Sequence, residues 1–200
     1  MPRRRDELGD QISEMVEASI LEKTRKRLTP TELPDGVITI LFTDVEGSTE
    51  LVRDLGDAEA RTALRRHDEI VREVLKEHDG VEVERTGDAF MLAFRLPSRA
   101  IAFGLALHDR LSGDGDLRVR IGMDTGEVIR EEKGYFGRTV FRAARIAGLG
   151  QGGQVLASQA TKVLAEAIPE VQFVDLGEKE LDGLGGRHRI FEVIATEEPG

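Results

Sequence analysis

The chain contains no cysteine and no tryptophan, and it has a single tyrosine. Without cysteine there is no disulfide framework, no thiolate-ligated zinc, no iron–sulfur cluster and no thiol nucleophile. That composition suits a reducing cytoplasm, which is the expected location. Positive charge is in deficit too: 28 Lys and Arg stand against 38 Asp and Glu, a formal net charge of −10. A phosphate backbone is held mainly by cations that neutralise it, so no nucleic-acid partner is expected. Long apolar runs are missing as well. The longest, Ala100 to Leu107, falls far short of the roughly 20 residues a membrane span needs. The basic start, Met-Pro-Arg-Arg-Arg-Asp, has no apolar stretch behind it and does not read as a secretory signal. What remains is 200 residues, 40% hydrophobic and 33% charged, the size and make-up of one soluble domain with one core.

Along the chain, Leu8, Ile12, Met15, Val16, Ile20 and Leu21 recur at helical spacing. The spacing predicts an amphipathic helix over residues 6–27 whose apolar face needs a partner, so a regulatory contact is expected there. The two prolines and the glycine of Leu28-Thr-Pro-Thr-Glu-Leu-Pro-Asp-Gly36 read as a linker. The expected division is therefore an N-terminal helix and linker over 1–35, one domain over 36–195 and a tail over 196–200. Within the domain, Val37 to Thr43 is β-branched and apolar, as a buried strand would be. Helical patterns open near Ser48 and run from Ala58 to His78. Val81 to Phe94 reads as a hairpin that turns at Thr86-Gly-Asp88, and Pro97 opens a helix to about Leu111. Strand pairs are expected over 117–124 and 126–131, a short helix over 139–148, a strand at 154–157, a helix over 158–168, and strands near 171–175 and 188–194. Mixed helices and antiparallel hairpins predict an α+β domain with helices packed on one sheet.

Chemistry concentrates in Phe42-Thr-Asp-Val-Glu-Gly-Ser-Thr49. A carboxylate ends a buried strand, a glycine turns the chain, and hydroxyl residues open a helix whose free N–H groups can cradle phosphate. A hairpin paired beside that strand would bring Asp88 within reach of Asp44. Two carboxylates together with polyphosphate oxygens are what Mg²⁺ requires, and two such ions can clamp attacking and leaving oxygens. Taken singly, Asp44 also fits a helix cap, and Arg138, Arg142 and Arg145 fit one basic helical stripe. The histidines at 67, 78, 108 and 188 are scattered and carry no chemistry that spacing reveals.

From Gly36 to Val193 the sequence resembles the class III nucleotidyl cyclases, the adenylyl and guanylyl cyclases. The resemblance rests on five motifs in order: Phe42 to Thr49, Arg85-Thr-Gly-Asp-Ala89, Arg120-Ile-Gly-Met-Asp-Thr-Gly-Glu127, Tyr135 to Arg145, and Gly153-Gln-Val-Leu-Ala-Ser158. It implies a ferredoxin-like core with an antiparallel-rich sheet, and a head-to-tail homodimer with active sites in the cleft between protomers. It also implies two Mg²⁺ or Mn²⁺ ions and a nucleoside triphosphate cyclised to a 3′,5′-cyclic monophosphate and pyrophosphate. By the same resemblance, Asp44, Asp88 and the Val45 backbone hold metal. Glu46, Gly47 and Ser48 cradle phosphate, and Arg145 stabilises charge on the reacting phosphate. The metal aspartates are expected from one protomer, and the base-reading and transition-state residues from the other.

The sequence also departs from that pattern. Where adenylyl cyclases carry an adenine-reading lysine there is Glu84, as in guanylyl cyclases, and at the second base-reading position there is Gly134. A carboxylate accepts two parallel hydrogen bonds and so matches the N1–H and N2–H₂ donors of guanine; the expected substrate is GTP, with ATP the alternative. Glu82 and Glu84 equally fit the outward positions of an alternating strand. Phe141 stands at the ribose-orienting asparagine position, and Asp182 stands where a triphosphate lysine is common, with Arg95, Arg99, Arg187 and Arg189 as candidate replacements. These departures leave open a catalytically weak or inactive domain that binds nucleotide and metal and acts through dimerisation.

Overall fold

The computed structural model describes residues 36–114, 117–132, 134–166 and 168–196. The expected helix over 6–27 and its linker lie outside them. β1 (Val37–Val45) is buried from Ile38 to its end, as its apolar sequence requires. It is followed by α1 (Ser48–Leu55), α2 (Asp57–Glu77), β2 (Val81–Thr86), β3 (Ala89–Phe94), α3 (Pro97–Asp114) and β4 (Val119–Glu127). Strands β4, β1, β3 and β2 lie side by side in that order, each antiparallel to its neighbour. That is the arrangement of a ferredoxin-like βαββαβ unit. Next come β5 (Ile129–Glu131), β6 (Gly134–Phe136), α4 (Arg138–Leu149), β7 (Val155–Ser158), α5 (Gln159–Ala165), β8 (Val171–Leu181) and β9 (Leu184–Ala195). β7 joins β4 in parallel, and β9 and β8 complete a seven-stranded sheet; β5 and β6 pair apart from it. Among the described residues no helix is long and apolar enough to cross a membrane.

Strand alternation sorts the side chains into two layers. Leu41 and Val45 of β1 and Phe90, Leu92 and Phe94 of β3 face α2 and α3, in a cluster that also holds Ile70, Val74 and Phe103. Ile38, Ile40 and Phe42 face the other way with Met91, and Val140, Ala143, Ala144 and Ala147 of α4 cover them. Two glycines let α4 lie directly on β4. A Cβ at Gly122 would stand 2.0 Å from the Ala147 amide nitrogen, and one at Gly126 would stand 2.7 Å from Thr139 Oγ1.

Several boundaries differ from the sequence reading. β4 runs unbroken through Thr125, and the short strand after it pairs with β6 and not with β4. β8 and β9 form a hairpin reaching far beyond 171–175 and 188–194. Most of β8 is exposed on both faces, so it lacks the alternation that marks a strand in sequence.

Candidate functional site

Asp44 is the penultimate residue of β1 and lies opposite Arg120 of β4. Both point to the face covered by α4, because Asp44 shares parity with Phe42 and Arg120 with Gly122. Asp44 is 4% exposed, and Arg120 donates to its Oδ2 from Nε at 2.9 Å and from Nη2 at 2.6 Å. Burial first, and the negative charge of Asp88 second, push the Asp44 carboxyl up to about 6, against the opposing pull of Arg120. The influence of Asp88 follows from topology. Thr43 pairs with Phe90, so the turn between β2 and β3 closes just beyond the end of β1. Asp88 Oδ2 is buried there and accepts no hydrogen bond from a described residue.

This arrangement fits a divalent cation. Two carboxylates are held close enough for one to raise the other, and a buried oxygen of Asp88 lacks a donor. Among the described residues no group of three or more His, Asp or Glu is clustered for metal, so backbone and substrate oxygens would have to complete any shell. Val45 ends β1, and the Glu46 amide donates to the Arg118 carbonyl at 2.8 Å. Gly47 then turns the chain with φ +72° into α1, where the Leu51 amide already bonds the Gly47 carbonyl at 2.9 Å. Glu46 and Gly47 are exposed and Ser48 is half-buried, leaving the turn open to a ligand.

Glu84 and Glu82 do not share a face. The ladder between β2 and β3 slips at Val83, placing Glu82 opposite Leu92 and Glu84 opposite Met91. Leu92 belongs to the cluster under α2 and Met91 to the cluster under α4. Accordingly Glu82 pairs with Arg72 of α2, Nε to Oε2 at 2.7 Å, and Glu84 turns to the face of Asp44. A bulge re-aims side chains in this way, and no residue type in Val81 to Arg85 announces it. Gly134 is buried in β6, which touches β2, so the two candidate base-reading positions lie on neighbouring strands.

The arginines of α4 do not form the shared basic stripe that their spacing allowed. Arg142 donates from Nε to Asp124 Oδ2 at 2.7 Å, and Asp124 is fully buried. Arg145 donates from Nε to the Asp182 carbonyl at 3.1 Å, in the turn between β8 and β9. Since β7 separates that hairpin from β4, Arg145 points away from β1 and Asp44. Phe141 packs against the cluster under α4 and meets Phe136 edge-on, with ring centroids 5.5 Å apart. Of the other candidate cations, Arg189 pairs with Asp175, Arg187 with Glu178 and Arg99 with Asp79. Sequence reasoning passed over Arg120 and Asp124. Both stand in a motif it had singled out, Arg120 to Glu127, and only the strand register shows what they face. A cavity of about 390 Å³, lined by Arg61, Arg65, Asp68 and Arg85, opens on the α2 side and shares no residue with this site.

The adenylate and guanylate cyclase catalytic domain family matches residues 33–194. An uncharacterized protein of Mycobacterium tuberculosis is 39% identical over 155 residues, covering 76% of this chain and 53% of that protein. The chain thus spans about half the length of that relative. The adenylate cyclase of Lachancea kluyveri is 30% identical over 172 residues, 71% of this chain and 9% of that enzyme. Among solved structures, a Trypanosoma brucei adenylate cyclase in its monomeric state superposes with a TM-score of 0.73 at 25% identity, over 84% of this chain and 93% of that one. The chain belongs to the adenylate and guanylate cyclase catalytic domain family, the class III nucleotidyl cyclases.

Proposed function

We propose that the domain cyclises a purine nucleoside triphosphate, preferentially GTP, to its 3′,5′-cyclic monophosphate, in a site completed by a second copy of the chain. The ribose 3′-oxygen loses its proton and bonds to the α-phosphorus, the bond from that phosphorus to the bridging oxygen breaks, and pyrophosphate leaves. The observation that carries this reading is the mutual influence of Asp44 and Asp88, with the buried Asp88 Oδ2 lacking a donor, beside the exposed turn of Glu46 and Gly47. Asp44, Asp88 and the Val45 carbonyl would hold divalent cations, which would supply charge neutralisation and lower the pKa of the 3′-hydroxyl. Arg120 keeps Asp44 oriented and adds a positive charge beside the turn of Glu46, Gly47 and Ser48. Arg145 contributes charge to the phosphoryl group in the transition state.

The division of labour between two chains is supported by where one chain puts its groups. Asp44 and Asp88 sit on the β1 side of α4, whereas Arg145 reaches the β8–β9 turn beyond β4. A head-to-tail pair would set the first group of one chain against the second group of the other. The preference for GTP rests on Glu84, which the bulge turns toward the face of Asp44. Phe141 favours the slower version of the same reading: an edge-packed ring gives no hydrogen bond to a ribose.

The test is incubation of the purified chain with each of the four nucleoside triphosphates and Mg²⁺ or Mn²⁺, with products separated by chromatography. Cyclic GMP and pyrophosphate should form fastest from GTP. No cyclic product from any nucleotide, in protein shown to be folded and dimeric, would leave a binding domain and not an enzyme.

A further inference from the structure

Residues 122, 124 and 126 of β4, alternating along the strand, point at α4, and two of them are glycines. Gly122 lies beneath Ala147 and Gly126 beneath Thr139. Four strand residues span about 13 Å and eight helical residues span about 12 Å, so α4 runs along β4 in the opposite direction, in step with it. Midway between those contacts, β4 presents Asp124 and α4 presents Ala143, both fully buried. The one side chain between the glycines is thus a carboxylate under a helix, opposite an alanine. Burial pushes its carboxyl above the usual range. Its charge is met by Arg142 of α4 at 2.7 Å, through a guanidinium whose side chain is 28% exposed. A second fastening, from Thr139 Oγ1 to the Glu127 carbonyl at 2.8 Å, holds the start of the helix.

An alanine-rich helix lying on glycines can slide, because small contacts differ little from one step to the next. An ion pair with a buried carboxylate cannot, since a shift of a few ångströms leaves Asp124 away from water and without its guanidinium. We propose that Asp124 and Arg142 are positioning residues for the cyclase reaction, setting where α4 rests along β4 and so where Phe141 and Arg145 stand. Phe141 directly precedes Arg142, and Arg145 follows it by one helical turn. A slip at Arg142 therefore displaces both. Arg142 acts through Asp124 and does not touch the nucleotide.

The inference rests on the cyclase reading, and its test separates the two. Wild type, Asp124→Asn, Arg142→Met and the double variant are compared in kcat and KM well below their melting temperatures. Amide hydrogen exchange of residues 139–147 is followed alongside. Both single variants should lose about tenfold to a hundredfold in kcat, the cost of a misplaced reacting geometry, with KM within about threefold of wild type. The double variant should be no slower than the slower single, because both lesions cut one link. Exchange should quicken in α4 and stay unchanged in β1 and β3. If Arg142 bound nucleotide instead, Arg142→Met would raise KM and Asp124→Asn would not. If the pair were only structural, melting temperature would fall with kcat intact. Either result overturns the proposal. A wild type without turnover defeats the cyclase reading itself; a wild type that turns over beside an equally fast Asp124→Asn defeats only the positioning role.

Discussion

The two faces of the sheet are built from different materials. Under α2 and α3 lies a broad apolar cluster whose largest members, Phe90, Phe94 and Phe103, are fully buried. Where that side carries hydroxyls, Thr39, Thr125 and Thr161 bond to one another at 2.9 Å. Under α4 the cluster is smaller, its helix contributes mostly alanine, and charges are set into it: Asp44 with Arg120, and Asp124 with Arg142. The same strands supply both faces by alternation, so one sheet can put most of its apolar burial on one side and its buried carboxylates on the other. The α4 face gives up apolar packing to hold two buried carboxylates, each met by an arginine.

Substitutions on the two faces should therefore fail in different ways. The largest effect is expected from Asp88→Asn, which keeps the turn but removes the second carboxylate. Turnover should fall by about 10³-fold or more, because one aspartate leaves a hard cation short of anionic oxygen. Melting temperature should hold or rise, since the repulsion on Asp44 is relieved. Phe103→Ala on the opposite face should do the reverse. Stability should fall by about 3–5 kcal/mol, the cost of a large buried ring, measured by denaturant unfolding, with kcat of the folded fraction unchanged. A drop in kcat there would blur the division between the faces.

Base preference gives a smaller and sharper effect. Glu84→Lys should lower the GTP to ATP ratio of kcat/KM by about tenfold or more, on the scale of 1–3 kcal/mol for a paired base contact. An unchanged ratio would reduce Glu84 to a polar strand residue. The smallest effect concerns pH. The Asp44 carboxyl is raised to about 6 in the folded chain, from 3.8 in an unperturbed aspartate. Its stabilising contribution is thus complete below the unfolded value and is lost as pH rises through about 6. Between pH 5 and 7, metal-free wild type should lose about 1 kcal/mol relative to Asp44→Asn, and added Mg²⁺ should close that gap at pH 7. Parallel pH profiles for the two proteins would show that Asp44 carries no such strain.

How far the sequence reaches follows the same division. β1, the glycine turn after it and the hairpin carrying Asp88 were legible, because strand ends, glycines and helix starts leave local marks. The helix carrying Leu64 to Leu75 was legible by its period, and the one after it by the proline that opens it. The destinations of charges were not. Arg138, Arg142 and Arg145 share helical spacing, yet Arg142 meets Asp124 and Arg145 meets the β8–β9 turn. Glu82 and Glu84 share parity, yet the bulge at Val83 parts them. Partners of this kind are set by register between distant strands, and a sequence pattern two residues long holds no record of it.

The central claim is that one chain holds the metal carboxylates on one side of α4 and the transition-state arginine on the other, so that two chains complete a site. The most direct measurement mixes an Asp44→Ala chain with an Arg145→Ala chain, each inactive alone, under conditions where subunits exchange. Heterodimers would place both lesions in one cleft and leave the other whole, and cyclic nucleotide formation should recover to a fraction of the wild-type rate set by the share of heterodimer. No recovery in a mixture proven to contain heterodimer would contradict the claim and assign the whole site to a single chain.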